Sequence, residues 1–371
     1  MDRIAGKTTE AWRGASIRVI GLGGAGSNAV DRMVQAGARR VDFVAANTDA
    51  QALERSEAAF KIVLGERLTK GLGAGGDPDV GAEAAERSRD ELLDVIGDAD
   101  LVFIAAGMGG GTGTGAAPVV ARLARQRGAL TIAVVTRPFT FEGNRRGNVA
   151  RQGIKKLRKA VDTLVVVSND RLLDVVNERV SLDIAFRIAD EVLRQGIQGI
   201  SELVTGPGLI NLDFADVRSI LKGAGGALIS IGHGDGVNKA EEAARMALGS
   251  PILDIKSVNG ADGLLVNLTG GEDLTLAEVD SAMKLISRST MPHAEILFGA
   301  VIDPKMEGRV QITLIAAGLS LEGQEKMPSA ANQGISLPFQ SSNLFGENGT
   351  TTEAVPAFMR STPQVHAGWR S

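Results

Sequence analysis

The chain has 371 residues, 44% of them hydrophobic, which is enough for two domains and a sizeable core. Lysine and arginine number 40 against 44 aspartate and glutamate, and the net charge of −4 argues against a general nucleic-acid binder. There is no cysteine, and the three histidines are scattered, so we expect no disulfide and no thiolate or histidine metal site. Neither a secretory signal nor an apolar run of about 20 residues is visible, so we expect a cytoplasmic protein that does not insert into the membrane.

The first glycine-rich segment is GLGGAGSN, residues 21–28. It follows a predicted strand over 17–20 and precedes a predicted helix over 29–36. Its glycines fit the pattern G-x-G-x-x-G in the strand–turn–helix setting of dinucleotide-binding folds. In that interpretation Asp49, after a strand over 41–46, would bind a ribose. The alternative is that the glycines only allow a strand and a helix to pack closely.

The second glycine-rich segment is GGGTGTG, residues 109–115, with five glycines in seven positions. It lies between a predicted strand over 101–106 and a predicted helix over 116–127. The glycines remove side chains where the backbone must approach a ligand, and their N–H groups, with the helix N-terminus, can bind an anion. The segment therefore predicts a phosphate cradle. The Walker A pattern G-x-x-x-x-G-K-[ST] is absent, which disfavours the ordinary P-loop class.

Residues 15–180 alternate predicted strands with helices. The strands are expected at 17–20, 41–46, 101–106, 130–136 and 163–168. Several are apolar without alternation, as in a parallel sheet that is covered on both faces. We therefore expect an α/β domain whose ligands bind at the carboxyl ends of its strands.

A long, largely buried helix is predicted after residue 180. Phe186, Ala189, Leu193 and Ile197 recur at helical spacing, and the segment 206–208, Gly-Pro-Gly, ends this central helix. Residues 209–319 then predict a smaller α+β domain. Its helices are expected at 213–222, 239–248 and 276–287, and its strands at 227–232, 263–268, 296–302 and 310–316.

Both ends of the chain differ from the middle in composition. Residues 1–14 are polar and are expected to be flexible. From residue 320 to 353 the chain is rich in Ser, Asn, Gln, Gly and Thr, which predicts a disordered linker. An apolar island at 354–360 follows, and residues 354–371 are interpreted as a partner-docking tail.

Several of these segments together resemble the tubulin/FtsZ family, specifically its FtsZ cell-division GTPases. The similar segments are GGGTGTG, GLGGAGSNAV, GLGAGGDPDVG, RPFTFEGNRR, SNDRLL and NLDFADV. The resemblance implies a Rossmann-like parallel-sheet GTPase domain, a long central helix, a smaller α+β domain and a disordered tail. It also implies a GTP-hydrolysing protein that polymerises head-to-tail into the cytokinetic ring on the inner face of the membrane at midcell.

The resemblance also assigns nucleotide contacts. Those to the phosphates and sugar are Gly24, Ala25, Gly26, Ser27, Asn28, Gly75, Gly76, Gly109, Gly110, Gly111, Thr112, Gly113, Glu142 and Arg146. Asp190 would accept hydrogen bonds from N1–H and N2–H₂ of guanine, Asn169 would assist, and Phe186 would pack on the ring. By periodicity alone, Asp190 could instead be an exposed residue of the polar helix face. Magnesium would be held mainly by the nucleotide, with no dedicated protein ligands.

The resemblance places the hydrolytic groups in NLDFAD. Asp213 and Asp216 lie three residues apart at the start of a predicted helix, so both can face the same way. Without the family they would be interpreted as a helix cap and a carboxylate at the positive end of the helix dipole. In the family this segment enters the nucleotide pocket of the next subunit, where the two carboxylates, with Asn211, position the attacking water. Hydrolysis would therefore require assembly.

The tail carries a further resemblance, to the family's docking peptide for membrane-tethering and division-regulating proteins. Its residues are Val355, Pro356, Ala357, Phe358, Met359 and Arg360. The extension over 361–371 departs from the family pattern.

Two other hypotheses stay open from the sequence: a nicotinamide-dependent oxidoreductase, which leaves GGGTGTG and NLDFAD unexplained, and a scaffold that binds GTP without hydrolysing it.

Overall fold

The structure is a computed structural model that describes residues 15–38, 40–173, 181–205, 208–210, 212–249, 258 and 260–319. The N-terminal segment 1–14, Asn211, the linker and the docking tail lie outside the described residues. Within the described part of the chain, no helix is both long and apolar enough to cross a bilayer.

The first part of the molecule is a parallel six-stranded sheet. Its strands are β1 (Ile17–Leu22), β2 (Asp42–Asn47), β3 (Phe60–Val63), β4 (Leu101–Gly107), β5 (Leu130–Arg137) and β6 (Thr163–Ser168). They lie in the order β3-β2-β1-β4-β5-β6, with every pair parallel. The five predicted strands are all present. The edge strand β3 was not predicted, because it has four residues, of which Phe60 and Lys61 are exposed.

Helices cover both faces of this sheet, as an α/β domain requires. They are α1 (Gly23–Gln35), α2 (Ala50–Glu54), α3 (Glu66–Thr69), α4 (Pro78–Arg87), α5 (Arg89–Ile96), α6 (Gly111–Gln126), α7 (Asn144–Arg158), α8 (Asn169–Leu173) and α9 (Leu182–Thr205). One core cluster unites α1 and α9 with one face of the sheet. The other unites α4, α5, α6 and α7 with the opposite face.

The predicted central helix is α9. Its apolar face is buried as the spacing indicates, with Leu193, Ile197 and Ile200 at most 1% exposed. The same helix contacts both α1 and β5. It therefore packs on the face of the sheet that also carries α1.

The second part is a mixed sheet with three helices among the described residues. Its strands are β7 (Gly208–Ile210), β8 (Gly225–Asp235), β9 (Gly263–Gly270), β10 (Glu295–Ile302) and β11 (Arg309–Leu319), and its helices are α10 (Phe214–Leu221), α11 (Lys239–Leu248) and α12 (Leu276–Arg288). The strand order is β8-β11-β9-β10-β7. The predicted α+β unit is confirmed, although the three-residue strand β7 was not predicted. Because β8 pairs with β6 at Thr163–Val165, the two sheets form one continuous eleven-stranded sheet.

Candidate active site

Two helix N-termini meet at the carboxyl edge of the parallel sheet. Helix α1 begins directly after β1, and α6 begins shortly after β4, which is the neighbour of β1 in the sheet. A Cβ placed on Gly23 would lie 3.1 Å from the backbone nitrogen of Gly113. Unpaired N–H groups and the positive ends of two helix dipoles thus converge, which is the arrangement that binds phosphates.

Both helices begin earlier than the sequence predicted. We expected glycine loops followed by helices from residues 29 and 116, but α1 starts at Gly23 and α6 at Gly111. Close packing explains the later glycines of α6. A Cβ on Gly113 would lie 2.7 Å from the carbonyl oxygen of Gly107, and one on Gly115 would overlap the carbonyl oxygen of Pro78 on α4. The anion cradle is therefore shorter than the glycine run.

Other glycines at this edge face open space. A Cβ added to Gly24 or Gly110 would meet no heavy atom within 4 Å, and neither glycine has a positive φ. Packing and backbone strain therefore do not require glycine at these two positions. Gly75 and Gly76 also face open space, but they adopt φ values of 59° and 77°, a turn conformation that favours glycine.

Threonine hydroxyls fix the cradle to its surroundings. The hydroxyls of Thr48 and Thr112 lie 2.6 Å apart and are buried, and Gly109 donates its N–H to the Thr114 hydroxyl at 2.8 Å. The backbone oxygen of Thr48 also accepts a hydrogen bond from Gly73. The glycine loop over 71–76 is thereby held beside the N-terminus of α6.

Two buried polar atoms at this edge lack a hydrogen-bond partner. They are Oγ of Ser27 and Oδ1 of Asn169, in residues that are 4% and 5% exposed. Such an unsatisfied group costs about 1–3 kcal/mol. Both were predicted to contact the nucleotide, so a nucleotide fits the polar groups that the fold leaves unpaired here.

Asp190 lies in the middle of α9 and is buried, at 7% exposure. This excludes the alternative of an exposed polar-face residue. Burial raises the pKa of its carboxyl from 3.8 to about 6, and the charge of Arg32 on α1, whose Nε lies 3.5 Å away, partly opposes that rise. The carboxylate therefore remains ionised at neutral pH, as acceptance from two guanine donors requires.

Aromatic rings lie next to the proposed base site. Phe186, which is 37% exposed, packs edge-on against Phe139 with 5.4 Å between the ring centroids, and Phe139 stacks on Phe141. Glu142 and Arg146 pair with each other at 2.6 Å. Their charges would have to be shared between this ion pair and the nucleotide.

Asp213 and Asp216 do not join the other predicted residues. Helix α10, at whose start they lie, is at the amino ends of the parallel strands: Thr163 at the start of β6 donates a hydrogen bond to the carbonyl of Leu221, and Arg218 donates one to Gly128, just before β5. The eight residues of β5 span roughly 26 Å. The predicted carboxylates and the cradle thus lie at opposite edges of the sheet.

The two carboxylates are exposed and free in the described part of the chain. Asp213 occupies the N-cap position of α10, yet its side chain makes no capping hydrogen bond. Neither side chain forms an ion pair or a hydrogen bond with another described residue. The alternative interpretation of Asp213 as a helix cap is therefore not supported, because an N-cap aspartate normally accepts such a bond.

The sequence did not predict the positions of Thr48 and Arg32 at this site. Thr48 follows β2 at the carboxyl edge of the sheet. The rule that ligands bind at the carboxyl ends of parallel strands could therefore have suggested it. Arg32 gave no signal, because it resembles any polar residue of an amphipathic helix.

Asp49, the ribose ligand of the dinucleotide interpretation, instead caps α2 by accepting from Ala52 at 3.1 Å. In the described ranges no cluster of three or more acidic or histidine side chains could hold a metal ion.

Comparison with known proteins agrees with this architecture. The model of the tubulin/FtsZ family GTPase domain matches residues 16–177, and that of the FtsZ family C-terminal domain matches residues 225–320. An FtsZ dimer of M. jannaschii is 43% identical with a TM-score of 0.80, and the match covers 86% of this chain and 95% of that one. A point mutant of M. jannaschii FtsZ is 46% identical with a TM-score of 0.79, and the match covers 82% of this chain and 92% of that one.

More distant structures share the fold. A GTPγS-bound protofilament of CetZ2 from Haloferax volcanii is 23% identical with a TM-score of 0.71, and the match covers 82% of this chain and 94% of that one. The chain is 43–46% identical to FtsZ over most of both chains, and both domain models match it. These findings establish the relationship to FtsZ and exclude the oxidoreductase alternative. The chain carries a guanine-nucleotide-binding GTPase domain and belongs to the tubulin/FtsZ family of cytoskeletal GTPases.

Proposed function

We propose that this protein hydrolyses GTP only when it polymerises head-to-tail, and that its filaments form the cytokinetic ring at the division site. The observation that carries the proposal is the position of Asp213 and Asp216. Both carboxylates are exposed and unpaired among the described residues, and they lie across the sheet from the phosphate cradle. One chain cannot bring the two halves together, but the next chain in a filament can.

The first half of the composite site holds the nucleotide. Gly24 to Asn28 at the start of α1 and Gly109 to Gly113 at the start of α6 would bind the phosphates through backbone N–H groups. Gly75 and Gly76 would lie near the γ-phosphate, and Glu142 and Arg146 would contact the ribose and phosphates. Asp190, with Asn169 and Phe186, would bind guanine. Magnesium, held mainly by the nucleotide, would neutralise charge on the phosphates.

The second half would act on the attacking water. Asp213 and Asp216, together with Asn211, would orient that water toward the γ-phosphate and polarise it. Phosphoryl transfer needs little covalent help from the protein, because positioning and charge stabilisation dominate its catalysis. Two exposed carboxylates delivered by a neighbouring subunit would fill this role.

A contact between two different surfaces repeats without closing and builds an open filament. Each added subunit would complete one hydrolytic site, so hydrolysis would set the lifetime of the joint and drive filament turnover. The similarity to an FtsZ dimer of M. jannaschii supports self-association. The docking residues Val355 to Arg360 would attach the filament to membrane-tethering and regulatory proteins at midcell.

The decisive experiment is the GTPase rate per subunit as a function of protein concentration. A composite site predicts almost no turnover below a threshold and a rising specific activity above it. A constant specific activity would show that each chain hydrolyses GTP alone, and would overturn the proposal. Nucleotide binding without turnover at any concentration would favour the non-hydrolysing scaffold.

A mixing experiment tests whether the two halves come from different chains. Asp213→Ala keeps the cradle and loses a catalytic carboxylate, whereas Asp190→Ala loses the base contact and keeps both carboxylates. Each variant alone should be inactive. Mixed filaments should regain turnover, because an Asp190→Ala subunit can supply its carboxylates to GTP bound by an Asp213→Ala subunit. Failure of the mixture, with both variants incorporated into filaments, would contradict a site shared between subunits.

A further inference from the structure

A cavity of about 50 Å³ lies between helices α1 and α9, which cover the same face of the sheet. Its walls are mainly apolar and include Val19, Met33, Phe43 and Ile197, each at most 7% exposed. One water molecule needs about 10–15 Å³ of such space, so about three to five groups of that size fit. The residues assigned to the nucleotide and to hydrolysis do not line this cavity, so it is a site of its own.

Among the described residues, the polar side chains that line the cavity all belong to α9. They are Gln198, Ser201 and Glu202. Two of them end a row of hydrogen bonds along the helix, in which Arg194 pairs with Glu191 and donates to Gln198. Gln198 in turn donates to one carboxylate oxygen of Glu202. The cavity therefore combines apolar walls with one carboxylate.

Glu202 ends this row without a cation of its own. The charge of Arg194 is shared with Glu191, and Glu202 forms no ion pair with another described residue. Burial raises the pKa of the Glu202 carboxyl above its ordinary value. The hydrogen bond from Gln198 and the charge of Arg194 oppose that rise, and the charge of Asp303 adds to it. The ionised carboxylate therefore lacks part of the compensation that a neighbouring cation would give.

We propose that this cavity binds the aminoalkyl end of a small aliphatic amine, such as a polyamine, with the ammonium group on Glu202. The ammonium would donate to the carboxylate oxygen that Gln198 leaves free, which is a charge-assisted hydrogen bond. The methylene groups would pack on Met33 and Ile197, as the stems of lysine side chains do on apolar surfaces. The ring of Phe43 would attract the positive charge.

Charge and size together select this occupant. A neutral ligand would leave the Glu202 carboxylate uncompensated, and an anion would be repelled by Glu202 and Asp303. Space for about three to five water-sized groups matches one aminoalkyl arm and is too small for a helix or a strand of a partner protein. The inference does not rest on the proposed filament, because both helices that form the cavity belong to one chain.

Calorimetric titration of the GDP-bound chain gives the first test. Putrescine, a four-carbon diamine, should bind saturably, whereas 1,4-butanediol, the neutral molecule of the same length, should not bind. Glu202→Gln should weaken putrescine binding at least about tenfold, the usual loss of a hydrogen bond to a charged group. Glu295→Gln is the matched control, because Glu295 is exposed and does not line the cavity. It should bind putrescine as the wild type does.

A single thiol tests where the amine binds. The chain has no cysteine, so Ala38→Cys places one thiol in the cavity wall, of which Ala38 is part. Putrescine should slow the reaction of this thiol with methyl methanethiosulfonate, and 1,4-butanediol should not. Adding Glu202→Gln should abolish that protection at the same putrescine concentration. Melting curves check that each variant is folded.

The outcomes separate this inference from the proposed function, because none of these measurements requires filaments. The absence of putrescine binding would mean that water or a side chain of the chain itself fills the cavity, and the inference would be wrong. Equal binding to the wild type and Glu202→Gln, or a thiol that putrescine does not protect, would place the amine elsewhere on the surface and overturn it. Binding of the diol as tight as that of putrescine would show an apolar site without charge selection, which also contradicts it. A GTPase rate per subunit that is constant with concentration would count only against the proposed function.

Discussion

The two edges of the parallel sheet handle polar groups in opposite ways. At the carboxyl edge, Ser27, Asn169 and Asp190 are buried with unsatisfied atoms or a raised pKa. At the amino edge, Asp213 and Asp216 are exposed to water. The isolated chain therefore loses stability by pre-forming the nucleotide site, whereas its carboxylates stay hydrated until they enter another subunit. This difference predicts that substitutions at the amino edge will change GTP turnover. Substitutions at the carboxyl edge should instead change nucleotide affinity or the free energy of unfolding.

The largest effect is expected at the amino edge. Asp213→Ala or Asp216→Ala should reduce GTP turnover by roughly 10²–10⁴-fold, the usual contribution of a positioned acid–base group. Nucleotide affinity should be unchanged, since neither carboxylate lies at the cradle. Stability should change by at most about 0.5 kcal/mol, as for other exposed positions. GTPase assays above the assembly threshold would measure turnover. GDP titrations would measure nucleotide affinity, and denaturant unfolding would measure stability.

Asp98→Ala is the matched control, because Asp98 is also exposed and without an ion pair in the described residues. It should leave turnover at the wild-type level. If Asp213→Ala and Asp216→Ala both turn over GTP normally, the carboxylates have no hydrolytic role. A loss of GDP affinity in either variant would place the carboxylates at the cradle of their own chain.

The next effect separates two kinds of glycine at the carboxyl edge. Gly115→Ala should lower the free energy of unfolding by about 1–3 kcal/mol or more, because its Cβ would overlap the Pro78 carbonyl and force α4 and α6 apart. Gly110→Ala meets no protein atom and should leave stability within about 0.5 kcal/mol. Its methyl group would instead stand in the space for phosphate and weaken GTP binding. Unfolding curves and nucleotide titrations of the two variants would show the contrast.

Gly24→Ala provides a second case at an open position. It should behave like Gly110→Ala, with the fold intact and nucleotide affinity reduced. Wild-type affinity in both variants would mean that the ligand does not approach the backbone at these glycines. The cradle would then have to be placed elsewhere along the edge.

A pH effect of intermediate size is expected at Asp190. Guanine needs an ionised acceptor, and burial raises the pKa of this carboxyl to about 6 in the folded chain. Between about pH 7 and pH 5, GDP affinity should therefore fall about tenfold as the carboxyl gains a proton. Calorimetric titrations across this range would measure the change, with Asp190→Asn as the variant that cannot titrate.

The stability of the nucleotide-free chain should follow pH in the other direction. The folded chain holds the Asp190 proton more tightly than the unfolded chain does, so this stabilisation is complete below about pH 4 and is lost as the pH rises through about 6. With a pKa difference of about two units, the loss is at most about 3 kcal/mol. The difference between wild type and Asp190→Asn isolates it from other groups. Equal pH slopes in the two proteins would show that the carboxyl does not have a raised pKa.

The sequence predicted the architecture more completely than the site. The apolar strands and the face of α9 follow from local pattern, and so does the choice of the carboxyl edge. The separate roles of Gly110 and Gly115 could not be predicted, because only tertiary contacts distinguish a glycine that packs from one that faces open space. The free side chain of Asp213 was equally hidden, since the sequence pattern of an N-cap aspartate is the same whether or not it caps. The pKa of Asp190 depends first on its burial and then on Arg32, which lies on a helix far away in the chain.

The smallest expected effect concerns Thr48, which connects two parts of the carboxyl edge. Thr48→Val removes the hydroxyl that meets Thr112 at 2.6 Å and leaves the backbone carbonyl that holds Gly73. Loss of one buried hydrogen bond should cost about 1 kcal/mol in the free energy of unfolding. Thr112→Val should cost a similar amount, and the double variant should cost less than the sum, because both singles break the same bond. An additive double variant would mean that the two hydroxyls do not interact. The bond from Gly109 to the Thr114 hydroxyl and the backbone bond from Gly73 to Thr48 would then hold this edge without the threonine pair.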